Sequence, residues 1–223
     1  MNGPGLDAVR ARLHAAERAA GRPPGAVTLL AASKQQNADT VRAVAAQGQR
    51  VFGENYVQEA LPKMAALADL DLSWHFIGRL QRNKTRDVAA HFDWLHTLDR
   101  ADLARRLSAQ RPPGKPPLQV LIEVNVSGEV TKGGVPPAAV AALAAEVRTL
   151  PGLRLRGLMS LPALDDDPER QRAAFARLRE LLQALGDDHL DTLSMGTSAD
   201  LEAAVAEGAT IVRVGTALFG ARR

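Results

Sequence analysis

A chain of 223 residues with 46% hydrophobic and 24% charged residues is long enough for one large globular domain and is neither disordered nor fibrous in composition. Its net charge of +3 comes from 28 basic and 25 acidic residues scattered without a dense basic run and with only 4% aromatics, which argues against a nucleic-acid binder while leaving room for a small anionic ligand. With no cysteine there is no disulfide or thiol chemistry, and with no apolar run near ~20 residues and no signal-peptide core the chain is expected to be cytoplasmic and to touch no membrane.

The opening segment MNGPGLDAVRARLHAAERAAGRPPG spaces its apolar residues like a surface helix. Eight β-type runs follow: VTLLAA (27–32), RVFG (50–53), WHFIG (74–78), FDWLHTL (92–98), LQVLIEV (118–124), LRLRGLM (153–159), DTLSM (191–195) and TIVRVG (210–215). Helical patterns such as ADTVRAVAAQG and DPERQRAAFARLRELLQALG lie between them. Their end signals agree: Asp39 near a start, Pro137 and Pro168 in first turns, Gly48 and Gly186 as stops. SAQRPPGKPPLQ reads as a loop into the fifth strand, too short to link two domains. Eight strands each followed by a helix predict an α/β fold, a (β/α)8 TIM barrel with an additional N-terminal helix, as a single domain over 1–223. An open doubly wound sheet is the runner-up, but no G-x-G-x-x-G follows the first strand.

In such a barrel chemistry belongs at the carboxyl ends of the strands. There the chain delivers Ser33-Lys34, Gly53-Glu54-Asn55, Gly78 preceded by His75, Glu123 with Asn125, Met159-Ser160, Ser194-Met195-Gly196-Thr197-Ser198 and Arg213-Val214-Gly215-Thr216. SMGTSADLEAAV and VGTALFG each put glycine with a hydroxyl where a strand turns into a helix, which is either plain N-capping or a phosphate cradle. Two such turns at the last two strands favour the cradle. A lysine ringed by barrel strands loses solvation and favours the neutral amine that condenses with an aldehyde. The alternatives for Lys34 are snorkelling to solvent or pairing with Glu123. Taken with the cradle, the amine points to an aldehyde-bearing phosphate ester, a description that pyridoxal 5′-phosphate fits. Arg213 cannot give up its proton, so opposite a pyridine nitrogen it would weaken the ring as an electron sink. That suggests a holder of the cofactor more than a strong catalyst.

The stretches AASK, FGENYVQE, WHFIGRLQRNK, VNVSGEVTKGG, RGLMSLP, LSMGTSADLEAAV and VRVGTALFG, all in order between about Val27 and Gly220, resemble the pyridoxal phosphate homeostasis proteins, barrels similar to the N-terminal domain of alanine racemase. The resemblance implies that Lys34 carries the cofactor as a Schiff base, the internal aldimine. It implies too that Asn55 lies near the ring, with His75 and Met159 in the site, and that Arg213 meets the pyridine nitrogen. Ser194, Gly215 and Thr216 would hold the phosphate with Met195 and Gly196 beside them. The family role is binding and buffering vitamin B6 aldehyde, without robust turnover. The turn SKQQN has fewer Lys and Pro residues than is usual there, and Thr197 stands where Met is common.

Several residues keep two readings. His75 is a core histidine or a ligand contact. RLQRNK (79–84) binds an external anion or is a solvated face. Glu129 and Lys132 gate the mouth or form a surface pair, and Glu54, Gln58 and Glu59 are expected to cap a helix start. His91, His96 and Asp191 lack metal-ligand spacing, so no metal is expected. Three functions compete: a cofactor carrier in transient contact with apo-enzymes, a pyridoxal phosphate racemase, and a cofactor-free class I aldolase. A racemase needs a second base across the ring, which alanine racemases take from a tyrosine of another domain. The chain is expected to be a monomer, and Lys84 and Lys132 are candidates for a second lysine used in transfer.

Overall fold

Alternating β-type and helical runs close into a ring. The computed structural model describes residues 5–129, 131–163 and 165–220. Its strands are β1 (Thr28–Ala32), β2 (Val51–Glu54), β3 (Ser73–Phe76), β4 (Trp94–Leu98), β5 (Leu118–Glu123), β6 (Leu153–Met159), β7 (Thr192–Ser194) and β8 (Ile211–Val214). Every neighbouring pair is parallel, and β8 pairs back onto β1 with Leu30 opposite Arg213, so the barrel is closed. Around it run α2 (Ala38–Ala46), α3 (Val57–Ala66), α4 (Thr85–His91), α5 (Ala101–Gln110), α6 (Val140–Arg148), α7 (Pro168–Ala184), α8 (Leu201–Ala206) and the short α9 (Thr216–Phe219), with α1 (Gly5–Ala19) ahead of β1. This is the predicted (β/α)8 barrel with its extra helix. The parts of the predicted elements and loops at 1–4, Val130, Leu164 and 221–223 lie outside the described residues.

The sequence pattern explains the layers. Strands buried on both faces read as continuous apolar runs. Their outward residues, such as Phe52, Phe76 and Leu95, join helix residues such as Val41, Val88 and Phe175 in one core between barrel and helices. The barrel interior is different. Buried Leu30, Leu121, Met159 and Ile211 share it with buried His75, His96, Ser194 and Arg213.

Helix ends follow local chemistry. Asn37, two residues ahead of the expected Asp39, caps α2 by accepting from the Thr40 N–H at 2.8 Å. Asp167 caps α7 with Pro168 in its first turn, and Pro137 opens a 3-10 turn ahead of α6. Helix α1 is tied to the barrel entrance by buried Glu17, which accepts from Val27 N–H at 2.8 Å and Gly25 N–H at 3.1 Å. Arg12 of the same helix pairs with Glu202 and donates to the Ser198 carbonyl at 2.7 Å, which pins the β7–α8 loop.

Candidate functional site

At the carboxyl ends of the strands opens a cleft of about 320 Å³, the size of a small-ligand site. Lys34 and Gln35 line it from the loop after β1, Asn55 from β2, Met159 from β6, Thr197 and Ser198 from the loop after β7, and Arg213 with Gly215 and Thr216 from β8. The strand period explains the start of the set: residues 30 and 32 of β1 face the interior in turn, and Lys34 follows just beyond the strand end, over the mouth. Beyond the strand the chain turns through a Ser33 carbonyl to Gln36 N–H bond of 3.0 Å, with Gln35 at φ +62°, a left-handed conformation that a residue with a Cβ adopts at a cost. That turn lifts Lys34 to the rim, where it is exposed. The expected desolvated lysine is therefore corrected: here the amine is solvated, and among the described residues no ion pair with Glu123 forms.

Two glycines shape the mouth. Gly196 sits at φ +93°, and a Cβ there would lie 2.5 Å from Ala204 Cβ. At Gly78 a Cβ would fall 2.0 Å from the Asn55 carbonyl oxygen, so only glycine lets the β3 loop pass behind Asn55. The first turn of α9 leaves the N–H groups of Thr216 and Ala217 without intrahelical partners beside the cleft. Thr197 is engaged locally: its N–H and hydroxyl donate to Asp200 at 2.6 and 2.9 Å. Ser198 is the hydroxyl of this loop that remains for a ligand; the sequence placed it at the strand end but pointed to Ser194 for the phosphate.

Beneath the cleft Arg213 is buried. Its Nη1 donates to the Ser194 carbonyl at 2.7 Å and to Ser194 Oγ at 2.6 Å, and its Nη2 donates to the Ser160 carbonyl at 2.8 Å. Burial lowers its pKa to about 10, opposed by the charges of Asp200 and Glu123, so the guanidinium stays cationic at neutral pH. Ser194 Oγ lies 2.9 Å from His96 Nδ1, and His96 Nε2 lies 2.8 Å from His75 Nδ1. Glu123, at the end of β5, is pushed up to about 7, by burial first and then by Asp99, against Arg213 and Arg79.

Outside the barrel wall Lys63 donates to Glu54 Oε1 at 2.5 Å and to the Ser33 carbonyl at 2.9 Å, while Ser33 Oγ donates to Glu54 Oε1 at 2.6 Å. Burial pushes the Glu54 carboxyl up, and Lys63 and Ser33 oppose that. Glu54 was expected to cap a helix. It closes a buried latch behind Ser33 instead, because it ends β2 with its side chain facing α3. Glu59 of α3 accepts from the Gln35 N–H at 3.1 Å and steadies the same turn.

The structure thus gathers Lys34, Asn55, Met159, Arg213, Gly215 and Thr216 at one cleft. It leaves Ser194 and His75 inside the barrel, with Ser194 under Arg213 rather than at the cleft wall, Met195 in the core between barrel and helices, and Gly196 behind the loop. Among the described residues the buried Asn55 Oδ1, of a residue lining the cleft, has no hydrogen-bond partner, and neither does Oγ of Ser160, the residue whose carbonyl Arg213 binds. An amine, a fixed cation, an unsatisfied amide oxygen, free N–H groups and hydroxyls suit a ligand with a carbonyl, an aromatic nitrogen and an anionic tail; the residues fit pyridoxal phosphate.

The sequence profile described as alanine racemase, N-terminal domain, matches residues 5–223. The pyridoxal phosphate homeostasis protein of Pseudomonas aeruginosa is 60% identical over 214 residues, covering 96% of this chain and 93% of that one. The protein of the same name from Escherichia coli K12 is 49% identical over 225 residues, covering 97% and 95%. Among solved structures, PipY of Synechococcus elongatus PCC7942 with PLP bound superposes with a TM-score of 0.82 at 39% identity, covering 95% of this chain and all of that one. Alanine racemase of Corynebacterium glutamicum, at 20% identity and a TM-score of 0.64, covers 97% of this chain and 63% of its own, and shares the fold.

Proposed function

The chain belongs to the pyridoxal phosphate homeostasis proteins, within the alanine racemase N-terminal domain family, and from that premise we propose that it binds pyridoxal 5′-phosphate in the cleft and holds it covalently on Lys34 as a carrier. When bound, the cofactor supplies a reactive aldehyde on an electron-withdrawing ring. The observation that carries the proposal is the convergence of Lys34, Arg213, Asn55 and the β7 and β8 loops on one cleft.

Each side chain then has one task. Lys34 offers the amine that captures the aldehyde, and the Ser33–Glu54–Lys63 latch fixes the turn carrying it. Three of Arg213's N–H groups are bound to Ser194 and Ser160, which leaves two of its five for an acceptor such as a pyridine nitrogen. Because it remains cationic, Arg213 keeps such a nitrogen unprotonated, which disfavours carbanion chemistry. Asn55 supplies polar contact beside the ring, and Ser198, Thr216 and the first-turn N–H groups of α9 receive the phosphate.

The same lining speaks against a racemase. Lys34 and Arg213 are the titratable groups among the described residues that line the cleft, so the lining itself offers no second base, and Glu123 at the end of β5 lies outside that lining. Tyr56, the sole tyrosine, is 52% exposed and outside the lining. We place the loaded protein in the cytoplasm as a donor to apo-enzymes, which mixing with an apo-enzyme and following transfer would test.

The purified protein should show a visible absorbance band and, after borohydride, a pyridoxyl adduct on the peptide carrying Lys34. A Lys34→Ala protein with an unchanged band would refute the assignment. Exchange of an amino acid's α-proton at ~1 s⁻¹ or faster would make the protein an enzyme instead. A colourless protein that accepts no pyridoxal phosphate would favour the aldolase reading.

A further inference from the structure

We infer that His96 and His75 are positioning residues for Arg213: they form a buried hydrogen-bonded chain, with its proton direction dictated by the guanidinium, that holds the Ser194 oxygen toward Arg213. The inference rests on the reading above, that the free N–H groups of Arg213 serve the bound cofactor.

The direction follows from counting donors. A guanidinium donates and cannot accept. Ser194 Oγ therefore accepts from Arg213 Nη1, at 2.6 Å. Ser194 is fully buried, and among the described residues its hydroxyl has one further partner, His96 Nδ1 at 2.9 Å. A buried hydroxyl proton without an acceptor is costly, so it goes to His96 Nδ1, which then carries no proton itself. A neutral His96 has its proton on Nε2, aimed at His75 Nδ1 at 2.8 Å. His75 in turn has its proton on Nε2, which donates to Ser73 Oγ at 3.1 Å. The chain ends there, at the partly buried start of β3.

Burial supports neutral rings at both positions: it lowers His75 to about 3 and His96 well below the usual imidazole range, the latter helped by the charge of Arg213. Trp94 stacks on His75 with 5.2 Å between centroids and 10° between planes, which fixes the ring. The chain links β8, β7, β4 and β3, and its His96–Ser194 step spans the lumen between strands that are not neighbours. The acceptors of Arg213 are all neutral, so the orientation of each matters to how firmly it is held. If the Ser194 hydroxyl turned, its proton would oppose the guanidinium and loosen it at the cleft floor. Local sequence carries no sign of this chain, since its histidines stand 21 residues apart and His96 stands 98 from Ser194.

Two measurements test it. Long-range proton–nitrogen NMR of the cofactor-free full chain at pH 7 should show His75 and His96 as neutral tautomers protonated on Nε2. A proton on His96 Nδ1, or a charged ring at either position, overturns the chain. In the second, His96→Leu should weaken pyridoxal phosphate retention at least fivefold and displace the visible band. His96→Gln, which offers an oxygen acceptor and an N–H donor, should restore most of both. A His96→Leu protein with the affinity and band of the parent overturns the positioning role. Should that variant fail to fold, Ser194→Ala breaks the same link and carries the same expected loss. If the parent itself takes no cofactor, the proposed function fails, while the tautomers still decide whether the chain exists.

Discussion

Replacing Glu123 by glutamine should stabilise the protein in a manner that depends on pH. The carboxyl is pushed up to about 7 from an ordinary 4.5, because burial and Asp99 penalise its charge more than Arg213 and Arg79 relieve it. A raised folded-state value means that the folded protein binds this proton more tightly than the unfolded chain. The penalty is absent below the unfolded value, grows as pH rises from there, and is complete above about 7. At about 1.4 kcal/mol per pH unit the full penalty is about 3 kcal/mol, of which about 2.5 kcal/mol develops between roughly pH 5 and 8. Glutamine has no charge to bury, so the variant escapes it. Any cost of an imperfectly bonded amide, about 1 kcal/mol, is the same at every pH. Urea titrations of parent and Glu123→Gln, followed by the fluorescence of Trp74 and Trp94, give the difference directly. It should rise by about 2–3 kcal/mol in favour of the variant from roughly pH 5 to 8. A difference that stays flat across that range would refute the account of the electrostatics at the mouth.

Lys63→Met should cost about 3–5 kcal/mol at neutral pH, because it leaves Glu54 buried without its cation. Since burial already raises the Glu54 carboxyl, acid should shrink that loss by protonating it, and chemical denaturation at two pH values checks both parts. Ser198→Ala and Thr216→Ala should each weaken pyridoxal phosphate binding by about 1–2 kcal/mol if their hydroxyls donate to the phosphate, as read by equilibrium titration. Ser194→Ala, by contrast, should act through Arg213 and alter the visible band. Gln35→Gly should gain up to about 1 kcal/mol in urea denaturation, because relief of the left-handed residue after Lys34 outweighs the added freedom of the unfolded chain.

The barrel was legible because its signals are local and repeat eight times. The place of Lys34 at the mouth was legible for a related reason: a strand's carboxyl end opens on the mouth whatever the neighbouring strands do, and Lys34 stands in the turn directly after β1. Ser194 shows where that logic stops. It is a hydroxyl near a glycine at a strand end, and so is Ser198 four residues later. Which one faces the cleft depends on where β7 ends and on its register, with Ser194 opposite Ile211 of β8. Glu54 fails in the same way, since an acid just ahead of a helix reads as a cap until the fold brings Lys63 of α3 against it. Single-strand patterns survive without tertiary information, whereas a side chain's partner across the lumen or behind the wall does not.

The two cations of the cleft show why those hidden partners matter to function. In the proposed carrier Lys34 is the residue that reacts, and it is left exposed at the rim on a turn held by the backbone, by Glu59 and by the Ser33–Glu54–Lys63 latch. Arg213 is to stay charged and aimed, so it is buried on neutral acceptors. A carboxylate placed there would hold the charge as well, but it would compete with any acceptor on the ligand and draw the guanidinium away from the cleft. Neutral acceptors bind a cation more weakly, and their direction must then be set by something else. The polar lumen of this barrel, which an all-apolar filling would make more stable in the simplest accounting, supplies that direction through His96 and His75.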